Sequence, residues 1–131
     1  MGIKIKYQFG QFLMVLLLKI INVRDWIDSP YAISSEDGEA IFGVVKEFLE
    51  HGSSLTLDFS EITVLTTAFL NSSIGQLSVM FSTDLVNKKL VLIGLDETKL
   101  ELIEEVKLRA KEYSLDPKNI DDLANDAIYG I

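Results

Sequence analysis

Asp58, Glu61, Thr66 and Thr67 fall close together in the stretch LTLDFSEITVLTTAFLNSSIGQL, Leu55 to Leu77. Each pair of side chains suggests a different chemistry. Asp58 and Glu61 are spaced so that one carboxyl could act as general acid and the other as general base, although acids at a strand end more often accept N–H bonds from the turn. A threonine at a helix start can cap it by accepting a backbone N–H, and a second one beside it stands as a free hydroxyl that a kinase could phosphorylate. The corner where a strand ends and a helix begins also favours anions, because the first helical N–H groups have no partner in the helix. Asp58, Thr66 and Thr67 are therefore the candidate anion- or ligand-binding residues, and Thr67, then Thr66, the candidate phosphoacceptors.

Other chemistries find little support. The chain of 131 residues has no cysteine, which excludes disulfides, thiolate nucleophiles and Cys-ligated zinc. Its single histidine, His51, follows an apolar helical pattern directly before Gly52 and reads as a helix-end residue interacting with the last carbonyls. There is no glycine-rich phosphate loop and no Gly-x-Ser-x-Gly elbow. Asp121, Asp122 and Asp126 lack the ligand spacing of a calcium loop and read as a solvated helix face. No cofactor and no metal are expected. The net charge of −8 repels a polyanion, so nucleic acid is not an expected partner.

These residues must be positioned by a set of alternating strands and helices. Ser34 to Asp37 supplies a cap and first-turn acids for an amphipathic helix carrying Ile41, Val44, Val45 and Phe48. A short buried strand follows over 53–59. Leu70, Ile74, Leu77 and Phe81, flanked by Phe69 and Met80, form the apolar stripe of a helix over 67–81. The run Leu90 to Gly94 predicts a strand covered on both faces or at the sheet centre. Thr98 and Glu101 have capping-box spacing ahead of a helix with Ile103, Val106, Ala110 and Tyr113 on its buried face. Asp116-Pro117 opens a last short helix.

The first 24 residues differ in charge from everything after them. Lys4, Lys6, Lys19 and Arg24 are the only charged residues there, giving +4 in a chain of −8 and hence −12 over the remainder. A secretory signal is one reading of a basic start followed by the apolar run Phe12–Leu18. The alternation of Ile3, Ile5, Tyr7 and Phe9 with polar residues, and a turn at Gly10-Gln11, favours a β-hairpin over 1–24 whose second strand is buried and emerges around INVRDWI. Lys19 interrupts the apolar run well short of a membrane span, so no membrane association is expected and a cytoplasmic location is. The resulting order is β-β-α-β-α-β-α-α with two β-α-β crossovers.

Three parts of this pattern resemble the STAS domain, the fold of sulfate transporters and anti-sigma factor antagonists, in a STAS-like variant. They are the opening hairpin, the segment LDFSEITVLTTAFLN with the helix holding Ile74-Gly75, and the strand KKLVLIGL with its helix. The resemblance covers most of residues 3–113. It implies an α/β fold with a small mixed sheet, an N-terminal hairpin and β-α-β units, helices packed on the sheet, in one domain of residues 1–131 with a C-terminal helical extension over 114–131.

In anti-sigma factor antagonists the corresponding turn resembles Asp-Ser-Ser/Thr-Gly, and the residue after the Asp is phosphorylated by a partner kinase. On this chain the Asp falls on Thr66, the phosphoacceptor on Thr67, the next hydroxyl on Ala68 and the Gly on Phe69, so only the acceptor hydroxyl is kept. The resemblance implies a non-enzymatic interaction module of the partner-switching kind. Its partner would be a kinase-like ATPase or an anti-sigma-like factor, gripping Phe69, Asn71 and Ser72 at the start of the helix. A small-ligand or nucleotide sensor built on the helix start is the alternative, a hydrolase using Asp58 and Glu61 a third. The mean hydropathy of +0.26 leaves a homodimer open.

Overall fold

The computed structural model describes residues 9–115, with side chains from residue 13 onward. Its first element is α1 (Phe9–Leu18), where a buried hairpin strand was expected. Composition explains the helix: from residue 12 to 18 only Val15 is β-branched, and Leu, Met and Phe without a competing polar partner settle into helix at little entropic cost. Lys19 ends it in a left-handed conformation (φ 57°), its N–H donating to the Val15 carbonyl at 2.8 Å. The first half of the predicted hairpin, residues 3–8, lies outside the described residues, as does the predicted helix beginning at Asp116-Pro117.

The β-branched pair Ile20-Ile21 then opens β1 (Ile20–Asn22). Asn22 ends this strand by accepting a hydrogen bond from the Asp25 N–H at 3.1 Å, which starts the one-turn helix α2 (Val23–Ile27). The INVRDWI segment is thus a strand end and a capped turn rather than a continuing strand. After Pro30 comes β2 (Tyr31–Ala32), and then α3 (Ser35–Glu50), capped by Ser34 through the Asp37 N–H at 3.0 Å. Next are β3 (Leu55–Asp58) and β4 (Val64–Leu65).

A continuous helix follows in three parts: α4 (Thr67–Leu70), a π-helical turn at Asn71–Gly75, and α5 (Gln76–Met80). The helix α6 (Thr83–Lys89), capped by Ser82, precedes β5 (Leu90–Ile93) and α7 (Glu97–Leu115). The start of α7 is capped by Asp96, which accepts from the Lys99 N–H at 2.8 Å, and not by Thr98.

Three strands pair in the order β1-β3-β5, every pair parallel, so the sheet among the described residues is parallel rather than mixed. Ile21, Leu57 and Leu92 are in register, as are Ile20, Thr56 and Val91. Ile21, Leu55, Leu57 and Leu90 are buried on one face, in one cluster with Ile41, Val45, Phe69, Ile74, Leu77 and Ile103 from the helices. The opposite face is only partly covered. Val91 and Ile93 of the edge strand β5 remain 45% and 41% exposed, which corrects the expectation that this run is the sheet centre; β3 holds that place. A second, two-stranded sheet pairs β2 with β4 in parallel, matching Tyr31 to Val64 and Ala32 to Leu65.

The helix of residues 67–80 packs against both α3 and α7. One glycine, Gly38, permits the close approach to α3. A Cβ at Gly38 of α3 would strike the Ser72 hydroxyl and lie 2.5 Å from the Phe69 carbonyl, while one at Gly75 would meet Val106 and Ala110 of α7 at ordinary contact distance. The widened turn between them shifts the usual ladder of backbone bonds. Ser72 donates to the carbonyls of Ala68 and Phe69, both at 3.1 Å, and Ser73 to that of Phe69 at 2.8 Å, so buried serines satisfy the acceptors there.

Candidate functional site

The strand β4 delivers the chain to the start of the 67–80 helix, and the two threonines divide the work there. Thr66 sits in extended conformation as the cap, accepting from the Phe69 N–H at 3.2 Å. Its hydroxyl donates in turn to the Ile33 carbonyl at 2.7 Å, and its own N–H reaches the Ala32 carbonyl at 3.1 Å. The helix start is therefore tied to the segment leaving β2. Thr66 is half-buried and its oxygen is already engaged in both directions, which makes it the less accessible of the two hydroxyls.

Thr67 occupies the first helical position and is exposed. Among the described residues its hydroxyl has no hydrogen-bonding partner. The next positions separate sharply: Ala68 and Asn71 are exposed, whereas Phe69 is 0% and Ser72 7% exposed. Phe69 and Ser72 are thus corrected from partner-gripping residues to core residues. The helical period explains it, because Phe69 and Ser72 are three residues apart and share the face turned to α3, while Thr67, Ala68 and Asn71 share the other. Met80, expected to widen the buried flank beside Phe69, is 51% exposed.

The exposed side chains next to the helix start come from a part of the chain that the sequence pattern left unassigned. Tyr31, Ile33 and Val64 are 53%, 47% and 41% exposed. Tyr31 and Val64 face each other across β2 and β4, and Ile33 is the residue whose carbonyl holds Thr66. A short extended stretch after Ser29-Pro30 was the available signal, but nothing local says that it will pair with Val64-Leu65, thirty-three positions away.

The two carboxylates are held by separate partners. Asp58 closes an Asx turn, accepting from the Ser60 N–H at 2.9 Å and from the Ser60 hydroxyl. Glu61 accepts from the Asn22 side-chain amide at 2.7 Å and lies 3.9 Å from the Arg24 guanidinium. Gly94, at φ 77°, brings the end of β5 against the Ser60 backbone, so this turn is packed from both sides. Asp58 also borders a shallow cleft of about 200 Å³ lined by Met14, Leu18, Ile20, Asp25 and Trp26, among others. Thr66 and Thr67 do not line it. The predicted anion site of Asp58, Thr66 and Thr67 is not assembled there, and the two carboxylates in the cleft would repel a phosphate.

At the end of α3, the His51 Nδ1 lies 2.7 Å from the Glu47 carbonyl, as expected of a helix-end histidine. Among the described residues no group of three or more His, Asp or Glu side chains is arranged to hold a metal ion, and no helix is long and apolar enough to cross a membrane. The cluster Asp121, Asp122 and Asp126 lies outside the described residues.

Residues 37–100 match the model of a family described as a STAS-like domain of unknown function, DUF4325. The matched segment runs from the first turn of α3 through both threonines to the first turn of α7. Over this segment the chain is similar to a STAS-like domain. No curated protein and no solved structure matches it. Within the STAS-like segment lie the Gly38 crossing, the π-helical turn and the Thr66-Thr67 corner, so the family match and the tightest packing coincide.

Proposed function

We propose that this chain is a non-enzymatic regulatory module that binds a protein partner through the corner capped by Thr66, and that phosphorylation of Thr67 switches this binding. One observation carries the reading: capping is delegated to Thr66, which leaves the neighbouring Thr67 hydroxyl exposed and uncommitted at the first helical position. The contact surface is the exposed set around it, with Ala68 and Asn71 on the helix and Tyr31, Ile33 and Val64 beside it. Exposed aromatic and branched apolar side chains around a polar centre suit a protein contact.

In the switching step a kinase transfers the γ-phosphoryl of ATP to the Thr67 oxygen, releasing ADP and the hydroxyl proton. The helix tolerates the product, since a phosphate at a first helical position meets free N–H groups and the positive end of the helix dipole. Close to two added negative charges on a chain of −8 oppose an apolar or acidic partner face. Kinase-like ATPases and anti-sigma-like factors are the partner classes that the STAS-like resemblance suggests.

Mass spectrometry of the chain purified from its host, with partner recovery by the wild type, Thr67→Glu and Ile33→Asp, tests the proposal. A partner held by the wild type and lost by both variants, with phosphate on Thr67, supports it. Equal recovery by all three removes the surface.

A further inference from the structure

We infer that α1 lies in the surface of an anionic lipid bilayer. From Leu13 to Leu18 only Val15 is buried; Leu13, Met14, Leu16, Leu17 and Leu18 are 41% to 69% exposed. Advancing 100° per residue, these five positions cover an arc of roughly 200°. Leu13, Leu16 and Leu17 form its outer stripe, while Met14 and Leu18 flank it and border the cleft over β1. A helix apolar over so wide an arc suits an apolar medium better than a groove that meets a single narrow stripe.

Charge identifies the medium. The helix has no charged residue; Lys4 and Lys6 precede it, and Lys19, exposed, follows it directly. No acid occurs before Asp25, whereas the residues beyond Arg24 sum to −12. Asp25 and Asp58 line the cleft with Met14 and Leu18 and not with Leu13, Leu16 and Leu17. An anionic surface that meets the outer stripe is therefore attracted by the basic residues flanking α1 in the sequence and repelled by the acidic remainder, which sets the orientation. At ten residues α1 is about 15 Å long, half the thickness of a bilayer core, so it lies along the surface instead of spanning it. The expectation of no membrane contact rested on Lys19 cutting the apolar run short of a span, a ground that does not bear on a helix lying along the surface. The inference is independent of Thr67.

Co-sedimentation of the full chain with phosphatidylcholine vesicles, with and without phosphatidylglycerol, tests it. The full chain should pellet with the anionic vesicles, at least tenfold more than with neutral ones, and be released by high salt. Leu17→Asp, at the most exposed of the five positions, and Lys19→Glu should each weaken binding several-fold while circular dichroism and the melting temperature stay unchanged. Failure to pellet with anionic vesicles overturns the inference, as does undiminished binding by Leu17→Asp. A concentration-dependent dimer that Leu17→Asp dissociates, without vesicle binding, assigns the helix face to a second copy and overturns it too.

Discussion

Two helices of this chain are rich in apolar residues, and they meet opposite fates. In the helix of residues 67–80, Phe69, Leu70, Ile74 and Leu77 are all at most 1% exposed. In α1, five of the six described side chains stay open to solvent. Hydrophobicity alone does not separate them. The 67–80 helix has a cap in Thr66, an apolar stripe with helical period, and small residues on the faces that must come close to α3 and α7. The α1 helix has apolar residues all round, so it has no single face to bury. Burial follows from pattern and from room for the partner, not from the amount of apolar surface.

The largest test of this contrast is Phe69→Ala. Emptying a fully buried aromatic site should lower stability by about 3 to 5 kcal/mol in chemical denaturation, whereas a surface residue used only for partner contact would change it little. Gly38→Ala should come next, at about 1 to 3 kcal/mol, because its new methyl group meets backbone at the Phe69 carbonyl as well as the Ser72 hydroxyl. A melting temperature equal to wild type would mean that α3 does not press on the π-helical turn.

Smaller effects separate the two threonines. Thr66→Ala removes a cap and leaves the Ile33 carbonyl without its donor, so a loss of about 1 to 2 kcal/mol is expected, largely restored in Thr66→Ser. Thr67→Ala should stay within about 0.5 kcal/mol of wild type while abolishing phosphate incorporation. Equal destabilisation by both substitutions would show that the division of labour at this corner is wrong. Smallest of all, Leu17→Asp should leave the melting temperature within error, in contrast to the same substitution at Leu77, which should unfold the chain.

Elements with a strong local signature were legible before the structure. The Ser34 cap and the buried positions Ile41, Val44, Val45 and Phe48 identify α3, and the stripe Leu70, Ile74 and Leu77 identifies the buried side of the central helix. The α6 helix was missed because seven residues hold too few apolar positions to display a period. The run Phe12–Leu18 was misread because a short apolar segment has the same appearance as strand or helix, and its helix-favouring leucines were outweighed by an alternation that precedes it. At the candidate site, the hydroxyl pair was legible but its allocation was not. Nothing in the spacing of Thr66 and Thr67 says which one the cap will take; Ser72 looked as available as Asn71, and Phe69 fitted both the flank of the apolar stripe and a partner contact.

By itself the amino-acid sequence determined the absence of cysteine chemistry, the segregation of charge between the first 24 residues and the rest, and the periods that make α3 and the central helix amphipathic. These depend on residue type and on spacing within a few turns, where propensity and capping act. Tertiary structure alone decided that β2 pairs with β4, that Thr66 is anchored to Ile33 and Thr67 left free, and which side of the 67–80 helix is pressed against Gly38. Those outcomes depend on contacts between segments more than thirty residues apart, and a backbone hydrogen bond or a close helix crossing leaves no mark on the local pattern that it joins.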